Sequence, residues 1–144
     1  MGNHYHLLVR TPLANLDEAV HHYASHYVRW FNNRHGRDGP MFRSRYTAML
    51  IEDEQYLVGV ARYIDRNPID LGVTELVAYP WSSHAAYVGA RRPERWLTTE
   101  EILRRTNGAE SYELYVNGPF EGEVERIMAL ERQPATWPRR TGTE

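Results

Sequence analysis

Only two stretches of this chain have the residue types of a β-strand, and that shortage constrains the fold more than anything else in the sequence. The first is His4-Tyr5-His6-Leu7-Leu8-Val9, at the very start and closed by Thr11-Pro12; the second covers about residues 42–51. A sheet of two strands is marginal in water. If both stretches pair, the sheet must be completed by another chain or by a segment upstream of Met1. The rest reads as helix. Leu16, Val20, Tyr23, Tyr27, Trp30 and Phe31 recur at three- and four-residue spacing, which predicts a helix over about residues 15–33 with one apolar stripe. Asn15 stands where an N-cap belongs, and Asp17 and Glu18 suit the first turn.

A second helix is expected from the acids at 52–54 to about residue 66, with Leu57, Val60, Ala61 and Ile64 as its packing stripe. Pro68 disfavours helical backbone at Asn67 and so ends it. A short helix follows Tyr79-Pro80-Trp81-Ser82-Ser83 and runs to Gly89. Thr98-Thr99-Glu100-Glu101 reads as a capping box opening about two helical turns. Residues 110–117 and 122–132 suit short helices, and residues 135–144 a frayed tail.

Cysteine is absent, which excludes disulfides and thiolate metal sites and fits a reducing cytoplasm. No apolar run approaches the ~20 residues of a membrane span, and the start carries no signal-peptide pattern. The net charge of −2 argues against a uniformly basic nucleic-acid coat. The charge is uneven, however. All 17 basic residues are arginine, and Arg29, Arg34, Arg37, Arg43 and Arg45 face a single acid, Asp38, in their stretch. Such a strip suits a polyanion or is simply a solvated loop.

The strand that begins the chain carries the chemistry. Side chains alternate along a strand, so His4 and His6 share a face, roughly 6.5 Å apart along the backbone. Two imidazoles so placed can converge on one metal ion at about 2.1 Å, or merely pack. Tyr63 and Asn67 lie one helical turn apart and can also share a face. A tyrosine beside an apolar stripe is usually a boundary packing residue. In the functional reading it is a nucleophile and Asn67 is an amide ligand. A phenol of pKa about 10 is roughly one part in a thousand ionised at pH 7, a deficit of about 4 kcal/mol. A divalent ion that polarises a phosphate oxygen supplies several kcal/mol. His22 and His26, at i,i+4 in the first helix, form a second possible ligand pair, on the side away from the apolar stripe.

Gly2-Asn3-His4-Tyr5-His6-Leu7-Leu8-Val9 resembles the His–hydrophobic–His motif of single-tyrosine HUH transposases. Five further blocks look like the REP-associated branch of that family, one of them the pair Tyr56-Leu57. The other four are Trp30-Phe31-Asn32-Asn33-Arg34-His35-Gly36, Phe42-Arg43-Ser44-Arg45-Tyr46, Arg62-Tyr63-Ile64-Asp65-Arg66-Asn67-Pro68 and Tyr79-Pro80-Trp81-Ser82-Ser83. The blocks occur in order over about residues 2–90.

The resemblance implies an α+β fold: a ferredoxin/RRM-like antiparallel sheet with flanking helices, lacking the family's first strand and helix, with a helical C-terminal part. It implies a transposase-like domain over 1–90, N-terminally incomplete, a helical extension over 91–134 and a flexible tail over 135–144. His4, His6 and Asn67 would hold Mg²⁺ or Mn²⁺. Tyr63 would attack single-stranded DNA at the foot of a hairpin and form a 5′-phosphotyrosyl intermediate. Arg34, Arg43 and Arg45 would contact phosphates, since a guanidinium forks onto phosphate oxygens. A homodimer is possible, and no membrane is involved. Two other readings stand beside this one. One is a catalytically impaired, truncated protein that binds DNA hairpins. The other is a metalloenzyme unrelated to nucleic acid, built on His4, His6 and His84.

Overall fold

The computed structural model describes residues 3–119. About half of them are helical, and there is no β-strand among them. The expected ferredoxin/RRM-like antiparallel sheet is therefore absent from the described residues, and both strand assignments are corrected. The physical reason lies in where backbone hydrogen bonds can close. A helix satisfies its own N–H and C=O groups, whereas a strand does so only across a ladder.

Over residues 5–9 exposure nonetheless alternates from one residue to the next. Tyr5, Leu7 and Val9 are about half exposed, while His6 and Leu8 are partly buried.

Two compact units make up the chain. Among the described residues, 9–47 form one of them, and 3–8 with 48–119 form the other. In the smaller unit, a turn closed by the Ala14 N–H on the Thr11 carbonyl leads into α1, Leu16–His35. Asn15 does occupy the N-cap position, but its side chain makes no capping bond. Gly36 ends the helix at φ +59°, donating its N–H to the Asn32 carbonyl. A left-handed residue there suits glycine because a Cβ would crowd the backbone. The Asn32 side-chain amide donates to the Gly39 carbonyl and folds the following turn back onto the helix.

The expected apolar stripe of α1 exists as a row of rings. Tyr23 and Tyr27 stack with centroids 6.3 Å apart, and Tyr27 meets Trp30 at 5.8 Å. No residue of α1 is buried. The Tyr46 hydroxyl donates to the Asp17 carboxylate, joining the end of this unit to the first turn of α1. Loss of solvent and that carboxylate push the Tyr46 pKa up to about 12.

The larger unit is built on α2, Glu54–Arg66, which packs against α4, Glu100–Arg105, and α5, Ala109–Asn117. Ala61, Leu76, Tyr87, Ile102, Tyr112 and Val116 form the core, with Leu8, Leu57, Val73 and Val88 around them. Val60 and Ala61 of the expected stripe are buried, while Leu57 and Ile64 are partly so. The chain continues from α2 into a 3₁₀ turn, Asn67–Leu71, with Pro68 in its first turn. A short α3, His84–Tyr87, follows the Ser82-Ser83 turn.

α4 begins one residue later than a capping box requires. Thr99 is the N-cap, without a side-chain bond, and Glu101 is engaged instead by the Arg105 guanidinium at 2.6 and 2.9 Å. Arg105 also holds Glu54 of α2 at 2.6 Å, so the two acids bracket one cation. α4 and α5 thus belong to the same unit as α2. The helix expected at 122–132 and the tail at 135–144 lie outside the described residues.

Candidate active site

α2 is anchored on its buried side before it presents anything for chemistry. Asp65 is 1% exposed and accepts four hydrogen bonds. One oxygen takes Ser82 Oγ at 3.4 Å and Ser83 Oγ at 3.3 Å. The other takes Tyr112 Oη at 2.8 Å and His84 Nδ1 at 3.2 Å. A buried carboxylate persists only with such partners. Burial and the Asp65 charge raise the Tyr112 pKa far above the ordinary phenol value and push that of Tyr87 up to about 12.

Arg62 and Arg66 grip the C-terminal end of α5. Arg62 donates to the Gly118 and Pro119 carbonyls at 3.0 and 2.6 Å, with its guanidinium 4.2 Å from the centre of the Tyr115 ring. Arg66 donates to the Val116 carbonyl and, at 3.3 Å, to that of Gly118. Cations suit this end of a helix because its carbonyls carry partial negative charge.

With its neighbours at 62, 65 and 66 so engaged, Tyr63 is half-buried and meets the start of the chain. Its ring lies 5.5 Å from that of His6, edge to face, and the His6 ring lies 5.1 Å from that of His4. The two imidazoles and the phenol therefore form one contiguous row. His4 Nδ1 is 2.7 Å from Asn3 Oδ1. A carbonyl oxygen can only accept, so Nδ1 carries the proton and Nε2 keeps its lone pair. Such an outer partner fixes both the tautomer and the orientation of a metal-ligating histidine.

Asn67 is buried, and its Nδ2 donates to the Tyr63 carbonyl at 2.8 Å. Its remaining side-chain donor atom for an ion is Oδ1. Ring contacts join His4, His6 and Tyr63, and Asn67 is tied to this group through the Tyr63 carbonyl; imidazole and amide oxygen are donor types that a divalent cation accepts. Among the described residues, no group of three or more His, Cys, Asp or Glu side chains could hold a metal. The three-histidine site on His4, His6 and His84 is thereby corrected: His84 is fully buried and committed to Asp65.

Arg34, Arg43 and Arg45 are exposed and belong to the unit of residues 9–47, separate from the unit that holds Tyr63. A groove of about 580 Å³ beside α2 is lined by Glu54, Val58, Arg105, Thr106, Ser111 and Tyr115, and none of the candidate site residues lines it.

Sequence reasoning passed over Asn3 and Asp65. Asp65 follows Ala61 by one turn, on the same ridge as Leu57, and a carboxylate on a core-facing ridge signals buried donors. Among the described residues no helix is long and apolar enough to cross a membrane. Comparison with protein-family models, with curated proteins and with solved structures finds no match.

Proposed function

We propose that this chain is a single-stranded DNA nickase and strand transferase of the single-tyrosine HUH type, with Tyr63 as nucleophile and His4, His6 and Asn67 as metal ligands. The edge-to-face contact of His6 with Tyr63 carries the reading, since the mechanism needs a phenolic oxygen beside a histidine pair. Further support comes from Asn3, whose bond to His4 Nδ1 leaves Nε2 ready to bind an ion.

Tyr63 Oη attacks the phosphorus of a scissile phosphodiester at the foot of a hairpin. The bond from phosphorus to the 3′ oxygen breaks, and the phenolic proton ends on that oxygen as a free 3′-hydroxyl. The 5′ phosphate stays on Tyr63, and attack by another 3′-hydroxyl reverses the step, so neither water nor a nucleotide cofactor is consumed. A bound Mg²⁺ or Mn²⁺ supplies charge stabilisation at the phosphate oxygens. Arg34, Arg43 and Arg45 serve as phosphate contacts on the DNA.

A second reading, a hairpin-binding protein that does not cut, is favoured by one observation: the described residues contain no sheet to hold the two histidines in register. One experiment separates the two. Full-length protein is incubated with Mn²⁺ and a hairpin-bearing single-stranded oligonucleotide, and covalent adducts are resolved on a denaturing gel. The nickase reading expects an adduct that Tyr63→Phe abolishes while retaining the gel shift. A gel shift with no adduct selects the second reading, and an adduct that survives in the phenylalanine variant removes Tyr63 as the nucleophile.

A further inference from the structure

A second pair of imidazoles lies in the other unit, on α1, and belongs to none of the chemistry above. His22 and His26 are one helical turn apart and both exposed. Their ring centroids are 4.2 Å apart. His26 Nδ1 is 2.9 Å from the His22 carbonyl oxygen, which can only accept. The proton of His26 therefore sits on Nδ1, and Nε2 is left with its lone pair. A nitrogen-bound backbone carbonyl of this kind is the usual device that orients a metal-binding imidazole.

Two imidazole nitrogens that share a tetrahedral ion at about 2.1 Å stand roughly 3.4 Å from each other. The two rings are 4.2 Å apart at their centres and tilted by 38°, so both imidazoles already stand side by side on one face of α1. We infer that His22 and His26 form a surface chelate on α1 for a borderline divalent transition-metal ion of the zinc class.

The donor chemistry selects the ion. Two imidazoles with no carboxylate grouped beside them suit Zn²⁺, Ni²⁺ and Cu²⁺. No third His, Cys, Asp or Glu groups with the pair among the described residues, so water completes the shell and both imidazoles are needed. The consequence falls on the helix itself. α1 runs for 20 residues without a single buried side chain, so it draws little on tertiary packing. A metal that bridges its second and third turns binds the helical form alone and stabilises it by mass action.

The test uses the untagged full chain with His4→Ala and His6→Ala, which silences the other imidazole pair and makes the result independent of the proposed nickase. ZnCl₂ is titrated by calorimetry, and helicity is followed by circular dichroism. One Zn²⁺ per chain and a rise in helix signal or melting temperature are expected. Adding either His22→Ala or His26→Ala should weaken binding about tenfold or more, because a single imidazole remains, while His21→Ala and His35→Ala should leave it unchanged. Metal-free spectra of each variant show whether α1 is still formed. Absence of Zn²⁺ binding in the parent, or equal binding after His22→Ala and His26→Ala together, overturns the inference.

Discussion

Replacing Asp65 with alanine removes the acceptor on which four donors converge. Two of those donors, Tyr112 Oη and His84 Nδ1, belong to residues with no measurable exposure. Each buried donor left without an acceptor costs about 1–3 kcal/mol. Ser82 and Ser83 lie at longer distances and add less. The sum, with some relaxation, is about 3–5 kcal/mol, the usual range for breaking one side of a buried polar cluster.

Tyr112→Phe alone removes one hydrogen bond to a carboxylate, worth about 2 kcal/mol. In the Asp65→Ala background the same substitution deletes a hydroxyl that has already lost its acceptor, so it should be neutral or mildly stabilising. The two changes are therefore coupled by about 2 kcal/mol or slightly more. Urea unfolding of the four proteins, followed by circular dichroism with the slope held common, measures this cycle. A loss below about 1 kcal/mol for Asp65→Ala would refute the reasoning. So would a Tyr112→Phe cost that is the same in both backgrounds.

Three further predictions follow from other contacts. Arg62→Met and Arg66→Met should each lower stability by about 1–2 kcal/mol, because each frees carbonyls at the end of α5; unchanged urea midpoints would contradict the clamp. Tyr87 and Tyr112 have raised pKa values when folded, so their contribution is complete below the ordinary phenol pKa and is lost as pH climbs from about 10 through 12. Melting temperature should fall across that interval, less steeply in Tyr112→Phe, and an identical fall in both proteins would count against it. Asn3→Ala should weaken Mn²⁺ binding about tenfold by releasing the His4 ring, with an unaltered circular dichroism spectrum; equal affinity in a titration would remove Asn3 from the site.

The helices were legible because their signals are local. The stripe Leu57–Ile64 and the stop at Pro68 lie within one stretch of chain, and so does the periodicity of α1, although α1 runs on to His35, two residues past the expected end near 33. What required other parts of the chain was not legible. A strand pattern at residues 4–9 records alternation but says nothing of a partner, and the described residues supply none. The aromatic row of α1 records an apolar face, yet no residue of that helix is buried. Asp65 finds Ser82, Ser83, His84 and Tyr112 at separations of 17 to 47 residues, which no local pattern announces. The histidine pair and Tyr63 were each visible as candidates. Their meeting at 5.5 Å comes from the fold, in which Leu8 packs against the core beside α2.

Within six consecutive residues, 62 to 67, α2 and its end combine the proposed reactive phenol with three of the ties that secure the larger unit. An alanine scan through this stretch would thus report loss of activity at nearly every position without separating collapse from chemistry. Deleting one atom, the phenolic oxygen of Tyr63, removes the proposed nucleophile and leaves the side chains of Arg62, Asp65 and Arg66 unchanged. Any attempt to reprogram the site is better directed at the imidazole side, where Asn3 and His4 stand at the surface and the helix behind them need not move.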